Sequence, residues 1–322
     1  MPAASSPAAQ LRVNRPIWVD GAFVPWADAS VHILSHSLQR GSLVFDYMSV
    51  HATARGQAVF RLPEHVQRFL RSVELVGLPL DAKAADLEAA VLETVRRNPG
   101  ATAVKMCAYL PSIEVDVVPL DEHVTVAIAA YDPGADVVAH KQQKPRYSPL
   151  LRLWIEKELR NRRHDILAPQ AKVAANYTSP MLAKWRARRR GYDDILLVDE
   201  QGHVAEAPTA NVFLVDRAGN LVTPAEDVVL LGVTRSTLIE VAKHDGLTVR
   251  ETAVRPQDLF DAAEVFLTGT TAGVWPVASI DDRKIGSGEA GPVALRLRER
   301  LQRITAGEDP EFLHWLAFAE PR

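Results

Sequence analysis

Cysteine is almost missing: Cys107 is the only one in 322 residues. No internal disulfide can form, no CxxC metal or redox pair exists, and a reducing compartment suits such a chain. No uninterrupted apolar run approaches the roughly 20 residues of a membrane span. The N-terminal MPAASSPAAQ also lacks the charged and apolar regions of a secretion signal. These absences make the cytoplasm the expected location. Neither sign of charge prevails. Lys and Arg total 37 against 40 for Asp and Glu, a net charge of −3, which gives no general field for nucleic acid or an anionic membrane. Gly 17 and Pro 21 are too few for a collagenous or low-complexity chain. No GxSxG elbow, Walker loop or GxGxxG after a strand is present, so the commonest hydrolase and nucleotide chemistries are removed. His32 and His36 are four apart, but VHILSH alternates like a strand and has no acidic partner at ligand spacing, so no metal is expected.

What is present is a globular composition, 47% hydrophobic and 24% charged, in a length that suits about two domains. Residues 1–15 read as a disordered tail. IWVDGAFVPW alternates around Asp20-Gly21, a hairpin signature, and LVFDYMSV and AVF flank a second turn at Arg55-Gly56. PEHVQRFLRSVELVG places Val66, Phe69, Leu70 and Val73 on one helical face between Pro63 and Gly77. Leu87, Val91 and Val95 do the same in AADLEAAVLETVRRN, and TAVKMCAYL and HVTVAIAAY read as strands. The expected organisation is a small α/β domain over 16–131, a linker over 132–148 and a large domain over 149–322. In the latter, Ser179-Pro180 suit the start of a helix that ends in WRARRR. Strands are expected at DILLVD, HVAEA, NVFLVD, LVTP, LTVRE and EVFLTGT, with a helix over 234–244.

Four features of the large domain could carry chemistry, each with a plainer alternative. Lys172 in AKVAANY is flanked by small residues that allow close approach of a planar ligand, though most lysines are solvated charges. Glu206 sits in an apolar strand, where a carboxylate needs a partner or a water-exposed edge. LGVTRS brings Gly232 and Thr234 to a helix start, a phosphate site or a simple cap. TGTTAG, residues 268–273, can form an anion-binding turn.

Taken in order, VHILSHSLQRGSLVF, FRLPEHVQRF, AKVAANY, GHVAEAPTANVF, LGVTRS and EVFLTGTTAGVWPV resemble the fold-type IV enzymes of pyridoxal phosphate (PLP). That family includes branched-chain aminotransferases, D-amino-acid and (R)-amine transaminases, and aminodeoxychorismate lyase. The C-terminal GEAGPVALRLRERL and FLHWL look like the end of a branched-chain type. The resemblance implies a mixed α/β fold of two domains with the cofactor at their interface, and a homodimer. It makes Lys172 the Schiff-base lysine and proton shuttle. Arg68 becomes a grip on the phosphate, Glu206 the partner of the pyridine nitrogen, and Tyr177 the neighbour of the phenolic oxygen. Val233, Thr234 and Thr270 become phosphate ligands, and Leu230 packs under the ring. The implied reaction is a ping-pong transamination between an amino donor and a keto-acid acceptor.

Substrate-facing stretches depart from the branched-chain pattern. Where relatives read LHYG and VFEGIR, this chain has Leu38-Gln39-Arg40-Gly41 and Val44-Phe45-Asp46-Tyr47-Met48-Ser49, and Tyr-Ile-Arg becomes Ala103-Val104-Lys105. Arg40 and Lys105 are then candidate carboxylate donors, and Phe45, Tyr47, Thr271 and Ala272 candidate pocket residues, with Trp275 reshaping one side. The Arg-rich stretch from Lys141 to Arg163 could bind a carboxylate or be a solvated loop and helix. A D-amino-acid or (R)-amine transaminase, an aminodeoxychorismate-lyase-like enzyme and a non-catalytic binding relative are the alternatives.

Overall fold

A computed structural model of the chain describes residues 13–141, 148–161 and 163–320. It divides into two compact units, Met1–Arg146 with Val173–Ala175 and Ile304–Arg322, and Tyr147–Lys172 with Asn176–Arg303.

The first unit opens with β1 (Ile17–Val19) and β2 (Ala22–Val24), joined by the Asp20-Gly21 turn. Both turn residues have positive φ, 45° and 93°, the geometry a two-residue hairpin needs. A five-residue helix, α1 (His36–Arg40), leads into β3 (Val44–Thr53) and β4 (Gly56–Phe60). Two amphipathic helices follow, α2 (Leu62–Val76) and α3 (Ala84–Arg97), then β5 (Ala103–Tyr109) and β6 (Thr125–Tyr131). Val66, Phe69 and Val73 are buried on the stripe that their spacing predicts, with Leu70 at its margin half-buried, and Leu87, Val91 and Val95 of α3 are buried likewise. Alternation along β3 buries Val44, Asp46, Met48 and Val50 and leaves Phe45, Tyr47 and Ser49 half-buried on the opposite face.

The second unit is built on β7 (Leu151–Ile155), β8 (Asp194–Leu196), β9 (Glu206–Ala207), β10 (Ala210–Val215), β11 (Leu221–Thr223), β12 (Val249–Glu251), β13 (Glu264–Gly269), β14 (Gly273–Ile280) and β15 (Arg283–Lys284). Its order is β12-β11-β10-β13-β14-β7-β8, with β9 on β10 and β15 on β14. The β11–β12, β14–β7 and β7–β8 pairs are parallel and the others antiparallel. Helices α4 (Thr178–Arg189), α5 (Val233–His244), α6 (Pro256–Asp261) and α7 (Pro292–Thr305) accompany it. Leu214, Val265, Leu267 and Val277 belong to its main core, and Phe213 stacks on Phe266 at 5.4 Å. The buried Glu264 carboxylate accepts the Val293 and Ala294 amides at 3.0 and 2.9 Å, capping the positive end of α7.

The last strand, β16 (Leu316–Phe318), returns to pair with β4 and completes the first sheet, ordered β16-β4-β3-β5-β6-β1-β2. The expected stretch 149–322 is therefore divided, its end grouping with the first unit through a pairing that no local pattern encodes.

Three local expectations change. VHILSH is not a strand: His36 begins α1, because its amide and that of Ser37 bind the Ser112 and Leu110 carbonyls while its buried ring meets the Val117 carbonyl at 2.8 Å. The helix expected from Ser179 starts at Thr178, continuing a 3-10 turn over Ala174–Tyr177, and Pro180 falls in a first turn where its missing N–H costs nothing. HVAEA contributes only the two residues of β9, Val204 making isolated bridges to Val198 and Val254 instead. The expected tail of residues 1–15 lies mostly outside the described residues. So does part of the 132–148 linker, whose described portion makes short turns over Pro133–Val137 and Val138–His140. Among the described residues no helix is long and apolar enough to cross a membrane.

Candidate active site

In the second unit, Lys172 is half-buried and its Nζ donates to Tyr177 Oη at 3.0 Å. The two are five residues apart in the chain and meet across a 3-10 turn that precedes α4. Residues between them are anchored in the first unit: Val173 bridges to Val44, and the Ala174 and Ala175 amides bind the Leu43 and Gly41 carbonyls at 2.8 and 3.1 Å. Gly41 has φ 73°, and a Cβ there would touch that of Ala175 at 3.4 Å. Glycine is thus favoured by both conformation and closeness.

Glu206 is 3% exposed, so the water-exposed edge is overturned and the carboxylate needs partners. Its Oε2 accepts the Leu230 amide at 3.2 Å and the Asn211 Nδ2 at 3.3 Å. Leu230, Val233 and Thr234 are buried where the chain enters α5. Gly232 supplies no side chain to cap this helix, so its first-turn amides and macrodipole face the loop. A Cβ at Gly232 would lie 2.1 Å from Asn211 Oδ1, a close approach that only glycine tolerates. Thr270, Thr271 and Ala272 form the turn between β13 and β14, closed by Thr268 Oγ1 on the Gly273 carbonyl at 2.9 Å. Trp275 packs on the core of this unit, its indole donating to the Ser148 carbonyl at 2.8 Å.

The first unit carries the remaining candidates. Arg68 grips Asp46 with two parallel bonds, Nε to Oδ2 at 2.8 Å and Nη2 to Oδ1 at 2.9 Å, and His65 Nδ1 meets Oδ1 at 2.6 Å. Burial alone would raise the Asp46 pKa. The Arg68 and His65 charges and hydrogen bonds outweigh it and hold the carboxyl well below the usual range. Tyr47 and Lys105 are cross-strand partners on one sheet face, and Lys105 Nζ lies 4.9 Å from the Phe45 ring centroid, a cation–π distance. Lys105 is exposed, as is Arg40, whose Nη2 donates to the Val115 carbonyl at 3.0 Å. Cys107, on the same face as Lys105, has its thiol pushed up to about 11 by burial, the behaviour of an inert thiol. Within 141–163, residues 142–147 and Arg162 lie outside the described residues, and Leu151–Ile155 forms the core strand β7 instead of the solvated loop and helix expected there, because Leu151, Leu153 and Ile155 alternate into the core. Arg152 pairs with Asp282 at 3.0 Å, and Arg163 pairs with Asp165 and Glu200 at 2.6 and 2.9 Å.

The structure thus joins Lys172 to Tyr177, links Glu206 to the entrance of α5, and gathers Phe45, Tyr47 and Lys105 on one sheet face. Sequence reading missed three supporting residues: Asp46, His65 and Asn211. The only available signal was a polar residue at an inward position of an otherwise apolar element.

The second unit thus holds a lysine hydrogen-bonded to a phenol, a buried carboxylate and a helix start with no side-chain cap. The amino-transferase class IV family matches residues 43–280, and the chain belongs to that family. The branched-chain-amino-acid aminotransferases of Salmonella typhimurium and Escherichia coli K12 are each 31% identical over 303 residues, covering 93% of this chain and 96% of theirs. Among solved structures, the T.th. branched-chain amino acid aminotransferase complexed with N-(5'-phosphopyridoxyl)-L-glutamate superposes with a TM-score of 0.87 at 36% identity, covering 96% of this chain and 99% of that one. The Escherichia coli branched-chain aminotransferase gives 0.86 at 28%, covering 96% and 100%. The mixed α/β, fold-type IV architecture implied by the resemblance is the one found.

Proposed function

We propose that this chain is a PLP-dependent transaminase that moves the amino group of branched-chain amino acids to a 2-keto acid. The observation that carries it is the Lys172 Nζ to Tyr177 Oη bond of 3.0 Å, in a chain whose relatives are named for that activity. The donor set fits the cofactor: one amine, one phenol, one buried carboxylate and a helix start without a side-chain cap. When bound, PLP supplies an electrophilic carbon for the donor amine and a ring that accepts the electron pair left by the departing α-proton. Lys172 would hold the cofactor through its amine, and the same amine is the base that would move the proton at the donor's α-carbon. Tyr177 Oη orients that amine. Glu206 would keep the ring nitrogen protonated, and Leu230 would pack against the ring. The α5 amides at Val233 and Thr234 and the Thr270 hydroxyl would bind the phosphate, a role that the family resemblance also gives to Arg68.

Arg40 or Lys105 meets the substrate carboxylate, and Phe45, Tyr47, Thr271 and Ala272 line its side chain. The enzyme works as a cytoplasmic homodimer. Support for the dimer comes from apolar side chains left in water on two segments that hydrogen-bond to each other. They include Ile33, Leu38, Val115 and Leu120, 61–95% exposed.

The test is to purify the protein with PLP and record absorbance above 400 nm before and after adding L-leucine, D-alanine or (R)-1-phenylethylamine. We expect a band that L-leucine bleaches and that Lys172→Ala lacks. Bleaching by D-alanine or the (R)-amine alone would move the enzyme to the other transaminase class. Absence of the band from the wild type would overturn the cofactor assignment.

A further inference from the structure

Asn211 is a buried amide, 5% exposed, to which neither the reaction nor the cofactor contacts above give a role. It faces Glu206 across the β9–β10 pair. Its Nδ2 donates one hydrogen to Glu206 Oε2 at 3.3 Å and the other to the Leu230 carbonyl at 2.9 Å, using both donors of the group. The Leu230 amide closes the triangle on the same carboxylate oxygen at 3.2 Å. On its other side Asn211 Oδ1 lies against Gly232, the residue that opens α5. One side chain therefore touches the carboxylate, the backbone of the ring-floor residue and the helix start.

We infer that Asn211 is a positioning residue that fixes the orientation of the Glu206 carboxylate and couples it to the start of α5, so that ring nitrogen and phosphate are gripped by one connected unit. This rests on the reading of Glu206 as the partner of the pyridine nitrogen. The chemistry is specific to an amide. A carboxylate at 211 has no hydrogen to give and would repel Glu206, and an apolar residue of similar volume would leave the buried Glu206 oxygen and the Leu230 carbonyl each one donor short.

The experiment compares Asn211→Leu and Asn211→Asp in wild-type and Glu206→Gln backgrounds. The readouts are PLP dissociation constant, the pH midpoint of the bound cofactor's visible band, and melting temperature. A hydrogen bond to a charged group governs the size of the effect, so Asn211→Leu should weaken PLP binding about tenfold and move the pH midpoint. In the Glu206→Gln background the same change should alter either quantity by less than about twofold, because no carboxylate remains to position. Asn211→Asp, which keeps the volume and stands in should the leucine variant not fold, should bind PLP progressively more weakly as pH rises. A lower melting temperature with unchanged affinity and midpoint would make Asn211 a packing residue and overturn the inference. So would an equal loss of affinity in both backgrounds. If Glu206→Gln by itself leaves affinity and midpoint at wild-type values, the assignment of Glu206 to the ring nitrogen falls, and the inference with it.

Discussion

At the scale of single residues, the Asp46–Arg68–His65 cluster shows how a partly buried cation is held in one orientation by a buried carboxylate. A guanidinium gripped through two of its nitrogens has its plane set, at the cost of burying a carboxylate that is fully enclosed. Asp46→Asn keeps the shape but removes the charge that Arg68 and His65 face. Breaking a buried pair in this way costs about 3 kcal/mol, which thermal or urea unfolding at neutral pH would report. The sign of the pH dependence follows from the lowered Asp46 pKa. A carboxyl more acidic in the folded than in the unfolded protein contributes its full stability above the ordinary carboxylate range and loses it as pH falls below that range. The gap between wild type and Asp46→Asn should therefore be constant above about pH 5 and narrow in acid. A gap that widens in acid would mean that the carboxyl is not the ionised partner of Arg68.

Elements differ in how far their neighbours decide them. The entrance to α5 depends on Gly232 having no side chain, since Asn211 Oδ1 occupies the place of a Cβ at 2.1 Å. Gly232→Ala must displace either the amide or the helix start. Overpacking of this kind costs about 1–3 kcal/mol. The variant should unfold at lower temperature without cofactor and bind PLP more weakly, both readable by melting curves with and without PLP. Unchanged affinity would show that the helix start does not hold the phosphate. The same contrast explains what the sequence could reveal. Asp20-Gly21 announced its hairpin and Val66, Phe69 and Val73 their helix face, because turn chemistry and 3.6-residue spacing are local. The order of small motifs likewise pointed to Lys172 and Tyr177, which the structure hydrogen-bonds to each other. The β16–β4 pairing, the shortness of β9 and the helical start at His36 were hidden because partners far along the chain decide them. Asp46 and His65 are 19 residues apart and so are Asn211 and Leu230, distances at which a polar residue shows only that it will need a partner.

For the whole molecule, the decisive feature is apolar surface with nowhere to go. Val115 and Leu120 are 95% and 93% exposed, and Val117 and Val118 between them are 71% and 72% exposed. The segment is not loosely attached: the Arg40 guanidinium and the His36 ring bind its Val115 and Val117 carbonyls, and Ile113 bridges to Ser35. It is therefore presented in a defined shape alongside Ile33, Leu34 and Leu38, which are 50–70% exposed. A patch of this kind, ordered yet solvent-facing, is what an association surface requires before its partner arrives. A net charge of −3 in 322 residues sets little repulsion against a second copy. Light scattering should give the wild type about twice the chain mass of 35.4 kDa. Val115→Asp combined with Leu120→Asp changes side chains that touch almost nothing in one chain, so stability should move by less than about 0.5 kcal/mol for each. Two carboxylates placed inside an apolar interface would be desolvated without partners, and the double variant should scatter as a monomer. A monomeric wild type, or a dimer that survives both charges, would place the association surface elsewhere or remove it.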